Sequence, residues 1–163
     1  MLKIISICTL LFSVLITEVH AQKKLPPVFL SDLEGKRMNL NKLSEDHPVI
    51  LSFWATWCEP CLRELSAMDR DLDLIENELN SKLAAISIDD SRTTSRIVPL
   101  LKGNEWSFEV FLDQNQDLKR TFNIIDIPHT IIVFRNKIVY EHTGYINGDE
   151  RVLYEEIRSI QKQ

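Results

Sequence analysis

The chain has 163 residues, 44% hydrophobic and 26% charged, a composition that suits one globular domain with a core of its own. Its formal net charge is −5 and it has no Lys/Arg-rich run. That argues against a nucleic-acid partner, since neutralising phosphates takes a basic stripe.

Lys3 supplies a positive charge, and residues 4–16 are apolar except for Ser6, Thr9 and Ser13. Val19 and Ala21 then occupy the two positions that an export peptidase reads, so cleavage is expected after Ala21. At ~1.5 Å per residue this apolar stretch falls short of a ~30 Å bilayer core, which favours a signal peptide over a spanning helix. Residues 1–21 are therefore expected to be a signal peptide, 22–27 a tether and 28–163 the folded domain. Left uncleaved, the segment would act as an N-terminal membrane anchor. Cys8 leaves with it, and the retained chain keeps only Cys58 and Cys61. Two cysteines so close in sequence cannot staple distant loops, so a reactive pair explains them better than a structural one.

Residues 28–43 hold two short strand-like pieces about the turn signal Asp32-Leu33-Glu34-Gly35-Lys36. Residues 48–54 form a nearly continuous β-branched and aromatic run, as expected of a strand covered on both faces. Leu62, Leu65, Met68, Leu72, Ile75 and Leu79 then recur at spacings of three and four, a helical stripe with Pro60 tolerated in its first turn. Further on, 83–88 reads as a strand, 92–102 as a helix closed by Gly103-Asn104, 106–112 as a strand and 114–122 as a short helix. Strands at 130–134 and 137–142 flank a tight Arg135-Asn136 turn, and 149–160 is a final helix. From residue 48 the order is β-α-β-α-β-α-β-β-α, which predicts a mixed sheet with helices on both faces. Its early crossovers pair parallel strands and its last hairpin forms an antiparallel edge.

The chemistry concentrates at Trp57-Cys58-Glu59-Pro60-Cys61, where a buried strand passes into a helix. Cys58 stands at the helix N-terminus, where free N–H groups and the macrodipole favour thiolate, the attacking species. Cys61, almost one turn later, is placed to resolve a mixed disulfide. Pro60 stiffens the turn, and Glu59 puts an anion beside the thiols that disfavours thiolate and tilts the pair towards reduction. Glu64, one turn beyond Cys61, reads either as a proton relay for Cys61 or as one more solvated charge on a helix rich in them. A zinc knuckle would need a second ligand pair at short spacing, and His129 and His142 do not supply one.

The block Phe53-Trp54-Ala55-Thr56-Trp57-Cys58-Glu59-Pro60-Cys61, with Glu64 after it, resembles the thioredoxin superfamily. More closely it is similar to the exported TlpA/ResA-like thiol–disulfide oxidoreductases. The resemblance runs over about residues 28–160 and includes Ile127-Pro128. It implies a thioredoxin fold, an α/β mixed central sheet flanked by helices, with an added N-terminal β-hairpin and a central insertion at roughly 92–106. It implies that Pro128, from sequence alone a turn proline, is cis, packs against the cysteine pair and presents backbone to an extended substrate. It raises Glu64 to a functional carboxylate, and it lays Trp57 over the active-site surface with Trp54 packed beneath. No metal and no cofactor beyond the redox-active Cys58–Cys61 disulfide are expected. The implied clients are exported protein disulfides, cytochrome c maturation among the roles, with a membrane thiol-transfer protein as electron donor. The implied place is periplasmic or extracytoplasmic, and the expected state is a monomer.

Two residues depart from the family pattern. Ser52 stands where thioredoxins carry a buried Asp, which moves any proton relay to Glu64 or water. His129 follows Pro128 where many relatives have Thr, and it reads as a histidine at the edge of the cleft. The leading function is reduction of exported protein disulfides, and a disulfide-forming oxidant of the same fold is the alternative. A thiol peroxidase fits less well because Ala55 holds the position of that class's threonine. A copper chaperone would use Cys58, Cys61 and His129.

Overall fold

The computed structural model describes residues 25–162. The expected signal peptide and the first half of the tether, 22–24, lie outside the described residues. Two strands, β1 (Phe29–Ser31) and β2 (Arg37–Asn39), pair antiparallel, and the Asp32 carboxylate accepts the Glu34 and Lys36 N–H groups to hold the turn. Packing reaches back beyond the expected domain start, since Leu25 is buried and its N–H donates to the Asn136 carbonyl at 2.8 Å.

A helix absent from the sequence expectation follows, α1 (Leu40–Asp46). Asn39 caps it, its side-chain oxygen accepting from the N–H groups of Asn41 and Lys42. It ends at His47, which is extended as the residue before a proline tends to be.

The main sheet has five strands: β3 (Val49–Trp54), β4 (Lys82–Ser87), β5 (Glu109–Leu112), β6 (His129–Phe134) and β7 (Lys137–Thr143). Their order is β5-β4-β3-β6-β7. The pairs β3–β4 and β4–β5 are parallel, and β3–β6 and β6–β7 antiparallel. Every residue of β3 is buried, as its unbroken apolar run requires of a central strand. The β6–β7 turn puts Arg135 at φ 49° and Asn136 at φ 61°, the conformation of a tight hairpin turn.

The helices are α2 (Glu59–Arg70), α3 (Ile97–Gly103), α4 (Asp117–Thr121) and α5 (Asp149–Gln161). The apolar stripe from Leu62 to Leu79 is not one helix, because α2 stops at Arg70 and a separate π-helical turn, Leu74–Glu78, buries Ile75. The expected helix at 92–102 begins later, in a 3-10 turn, Thr94–Arg96, because the Asp90 carboxylate takes the N–H groups of Arg92 and Thr93 into a turn. Strand β5 starts at Glu109 rather than 106, since the Ser107 N–H is spent on the Asp69 carboxylate. Helix α4 starts at Asp117 because Gln116 is left-handed at φ 57°, and Asp113 accepts from the N–H groups of Leu118 and Lys119. The result is a thioredoxin-like fold, a mixed five-stranded sheet flanked by helices with an N-terminal antiparallel hairpin.

Candidate active site

Strand β3 delivers the chain to one end of the sheet, where the loop 55–58 leads into α2. Cys58 caps α2, with its Sγ 3.4 Å from the Cys61 N–H, and the two cysteines are joined in a disulfide. Their burial is unequal: Cys58 keeps 6% of its surface exposed and Cys61 none. Pro60 sits in the first turn of α2. Glu59 is exposed and ion-paired with Arg63 at 2.6 Å, so its field at the sulfurs is shared with a cation.

Glu64 is not a surface charge. It is 3% exposed, and each carboxylate oxygen accepts one hydroxyl: Ser52 Oγ donates to Oε2 at 2.9 Å and Thr130 Oγ1 to Oε1 at 2.8 Å. Ser52 and Thr130 are cross-strand partners on β3 and β6, so both point to the sheet face that α2 covers. Burial pushes Glu64 up to about 7, against the opposing pull of the two hydroxyls. The carboxylate supplied by α2 thus meets the Ser52 position, where the family pattern puts its buried acid.

A residue that the sequence reading did not single out anchors the loop. Asp89, fully buried just past β4, accepts the Thr56 N–H at 2.8 Å, the Thr56 hydroxyl at 2.7 Å and the Ser87 hydroxyl at 2.9 Å. The sequence signal was an acid directly after a buried strand, but its partner Thr56 lies 33 residues away.

The Ile127–Pro128 peptide is cis. The Phe53–His129 pairing puts Pro128 at the same end of the sheet as the loop 55–58, and Gly144 N–H donates to the Pro128 carbonyl at 2.8 Å. Topology collects three exposed apolar side chains at that end: Trp57 after β3, Ile125 before β6 and Ile146 after β7. Trp54 is fully buried in the core.

His129 does not edge the cleft as expected. It is buried, with Nε2 3.0 Å from a Glu141 carboxylate oxygen and Nδ1 2.8 Å from the Thr143 hydroxyl. Burial holds its pKa below the ordinary histidine value despite Glu141, so near neutral pH it is an uncharged imidazole with both nitrogens engaged. As the neighbour of Thr130 on a strand, it points to the sheet face opposite Glu64. Those bonds leave no ring lone pair for the copper site considered from sequence.

The sequence profile of the AhpC/TSA family matches residues 21–142. The chain belongs to the AhpC/TSA family. Among relatives of this AhpC/TSA chain, the thiol-disulfide oxidoreductase ResA of Bacillus thuringiensis is 27% identical over 123 residues, 75% of this chain and 69% of the relative. The sporulation thiol-disulfide oxidoreductase A of Bacillus subtilis is 28% identical over 114 residues, 69% of this chain and 67% of the relative. The solution structure of a thioredoxin-like protein from Porphyromonas gingivalis is 44% identical, covers 85% of this chain and 92% of its own, and superposes with a TM-score of 0.71. Fold, cysteine pair and relatives make this member a thioredoxin-like thiol–disulfide oxidoreductase.

Proposed function

We propose that the protein is an extracytoplasmic reductase of protein disulfides, with Cys58 as nucleophile, Cys61 as resolving thiol and Glu64 as proton relay. The observation that carries the exchange chemistry is the unequal burial of the pair beside a buried, hydroxyl-bound carboxylate, and the Glu59 anion next to the thiols favours the reducing direction. A sulfur at the surface can meet a client, while one hidden beneath it meets only the mixed disulfide.

In the dithiol form, Cys58 thiolate attacks one sulfur of the client disulfide. A Cys58–client bond forms, and the other client sulfur leaves as thiolate and takes up a proton. Cys61 gives its proton to the Glu64 carboxylate, attacks Cys58 Sγ and expels the second client sulfur, to which that proton passes. Two electrons and two protons reach the client, and the Cys58–Cys61 disulfide remains. A thiol donor, a membrane thiol-transfer protein in this reading, restores the dithiol. Pro128 presents its backbone to the extended client, and Trp57, Ile125 and Ile146 provide the apolar contact surface around it.

The apolar segment at 4–16 and the small residues before Gln22 support export, and the likeness to the thiol-disulfide oxidoreductase ResA supports thiol–disulfide exchange; in this reading the clients are exported cysteines, cytochrome c precursors among them. The test is Cys61→Ser, which removes the resolving thiol. It is expected to stall clients as mixed disulfides on Cys58 that dithiothreitol releases. A Cys61→Ser protein that traps nothing, beside a wild type that reduces no disulfide, would overturn the reading.

A further inference from the structure

A groove of about 530 Å³ opens beside the redox pair, running from Glu59 along the exposed side of α2 to the loop before α5 and that helix's first turn. Three arginines line it, Arg63, Arg70 and Arg151, in a chain whose net charge is −5. Of its two acids one is paired with a cation and the other is held by neutral donors. Glu59 pairs with Arg63, and Glu150 accepts the Tyr145 hydroxyl at 2.9 Å and the Gly148 N–H at 3.0 Å. The acids flanking Arg70 in sequence hold other partners: Asp69 takes Ser107, and Asp71 takes the Tyr154 hydroxyl. Arg70 and Arg151 are exposed and form no ion pair among the described residues.

From these positions we infer that the groove is a docking track for an acidic segment of the client polypeptide, flanking its disulfide. The inference rests on the thiol–disulfide reading and adds a client preference to it. Along α2 the distance from Cys58 to Arg70 is about 18 Å at ~1.5 Å per residue. An extended peptide covers this in about five or six residues at ~3.3 Å each. A carboxylate about that far from the attacked cysteine therefore meets Arg70, with Arg151 lining the same groove. Because the charges are exposed, they act on encounter and register more than on tight binding.

The test compares three peptides with one intramolecular disulfide, differing only at positions four to six from the attacked cysteine, which carry Glu, Gln or Lys. Each is mixed with purified dithiol protein in single turnover. The expected order is Glu over Gln over Lys, with Glu ahead of Gln by about fivefold in second-order rate constant at low salt and the gap closing as salt rises. In R70Q/R151Q the gap flattens, and in R70E/R151E the order inverts. Equal rates for the three peptides with wild-type protein would overturn the docking track and leave the redox reading standing. A Glu preference undiminished in R70E/R151E would also overturn it. Reduction of none of the three would remove both.

Discussion

Burial and hydrogen bonding pull Glu64 in opposite directions. Loss of water raises the pKa, while the Thr130 and Ser52 hydroxyls favour the ionised form. Burial dominates, and a carboxyl with an ordinary value of 4.5 titrates at about 7 in the disulfide form. Between these values the fold keeps the proton that the unfolded chain has lost. The stabilisation linked to it is fully present below pH 4.5 and is lost as the pH rises through about 7, on the order of 3 kcal/mol across the window. Urea unfolding of the wild-type disulfide form should therefore weaken over this range by up to that amount, and the Glu64→Gln protein should lack that slope. Parallel profiles for the two proteins would count against a buried, titrating Glu64. A group that titrates near 7 can take and return a proton at physiological pH. Glu64→Gln is accordingly expected to slow release of the second client thiol by about 10²-fold, while formation of the mixed disulfide on Cys58 changes little.

At the scale of elements, the site is a junction between β3, β4, β6 and the start of α2, held by contacts distant in sequence. Asp89 ties the end of β4 to the loop before Cys58 through Thr56. Asp89→Ala would leave the half-buried Thr56 N–H and hydroxyl and the buried Ser87 hydroxyl without their acceptor. The expected cost is about 1–3 kcal/mol per group left unsatisfied, read as a lower urea midpoint, together with slower attack by Cys58. Retention of both midpoint and rate would show that the loop stands without this anchor. The same junction shows what the sequence could disclose. The β3 run, the apolar stripe of α2 and the cysteine spacing are local patterns, and the alternation of elements gives the parallel crossovers and the antiparallel last hairpin, whereas the pairing of β6 with β3 is not local and was not legible. Four of the misreadings turn on side chains that capture backbone groups, Asn39, Asp69, Asp90 and Asp113, which hydropathy does not register; the stop of α2 at Arg70 and the early packing of Leu25 do not. Asp89 was missed for a related reason: its partner is fixed by the parallel pairing of β3 with β4. For Glu64, the residues alone allowed a surface charge. Only the Ser52–Thr130 register shows why a carboxylate is tolerated inside.

Across the whole molecule, exposed apolar side chains and the nearly buried Cys58 gather at one end of the sheet, and the arginine groove leads away from it. This geometry suits a protein client approaching from that end, but it serves oxidation and reduction of the client alike. Direction depends on how strongly the surroundings stabilise thiolate. Two carboxylates sit near the pair, Glu59 partly offset by Arg63 and Glu64 buried one turn beyond Cys61, and both work against thiolate. The measurement that bears most directly on the account is the equilibrium potential of Cys58–Cys61 against a defined dithiol/disulfide buffer at pH 7. The reductase account predicts a value well below about −180 mV, on the thioredoxin side of the range, and a value at or above that figure would contradict it.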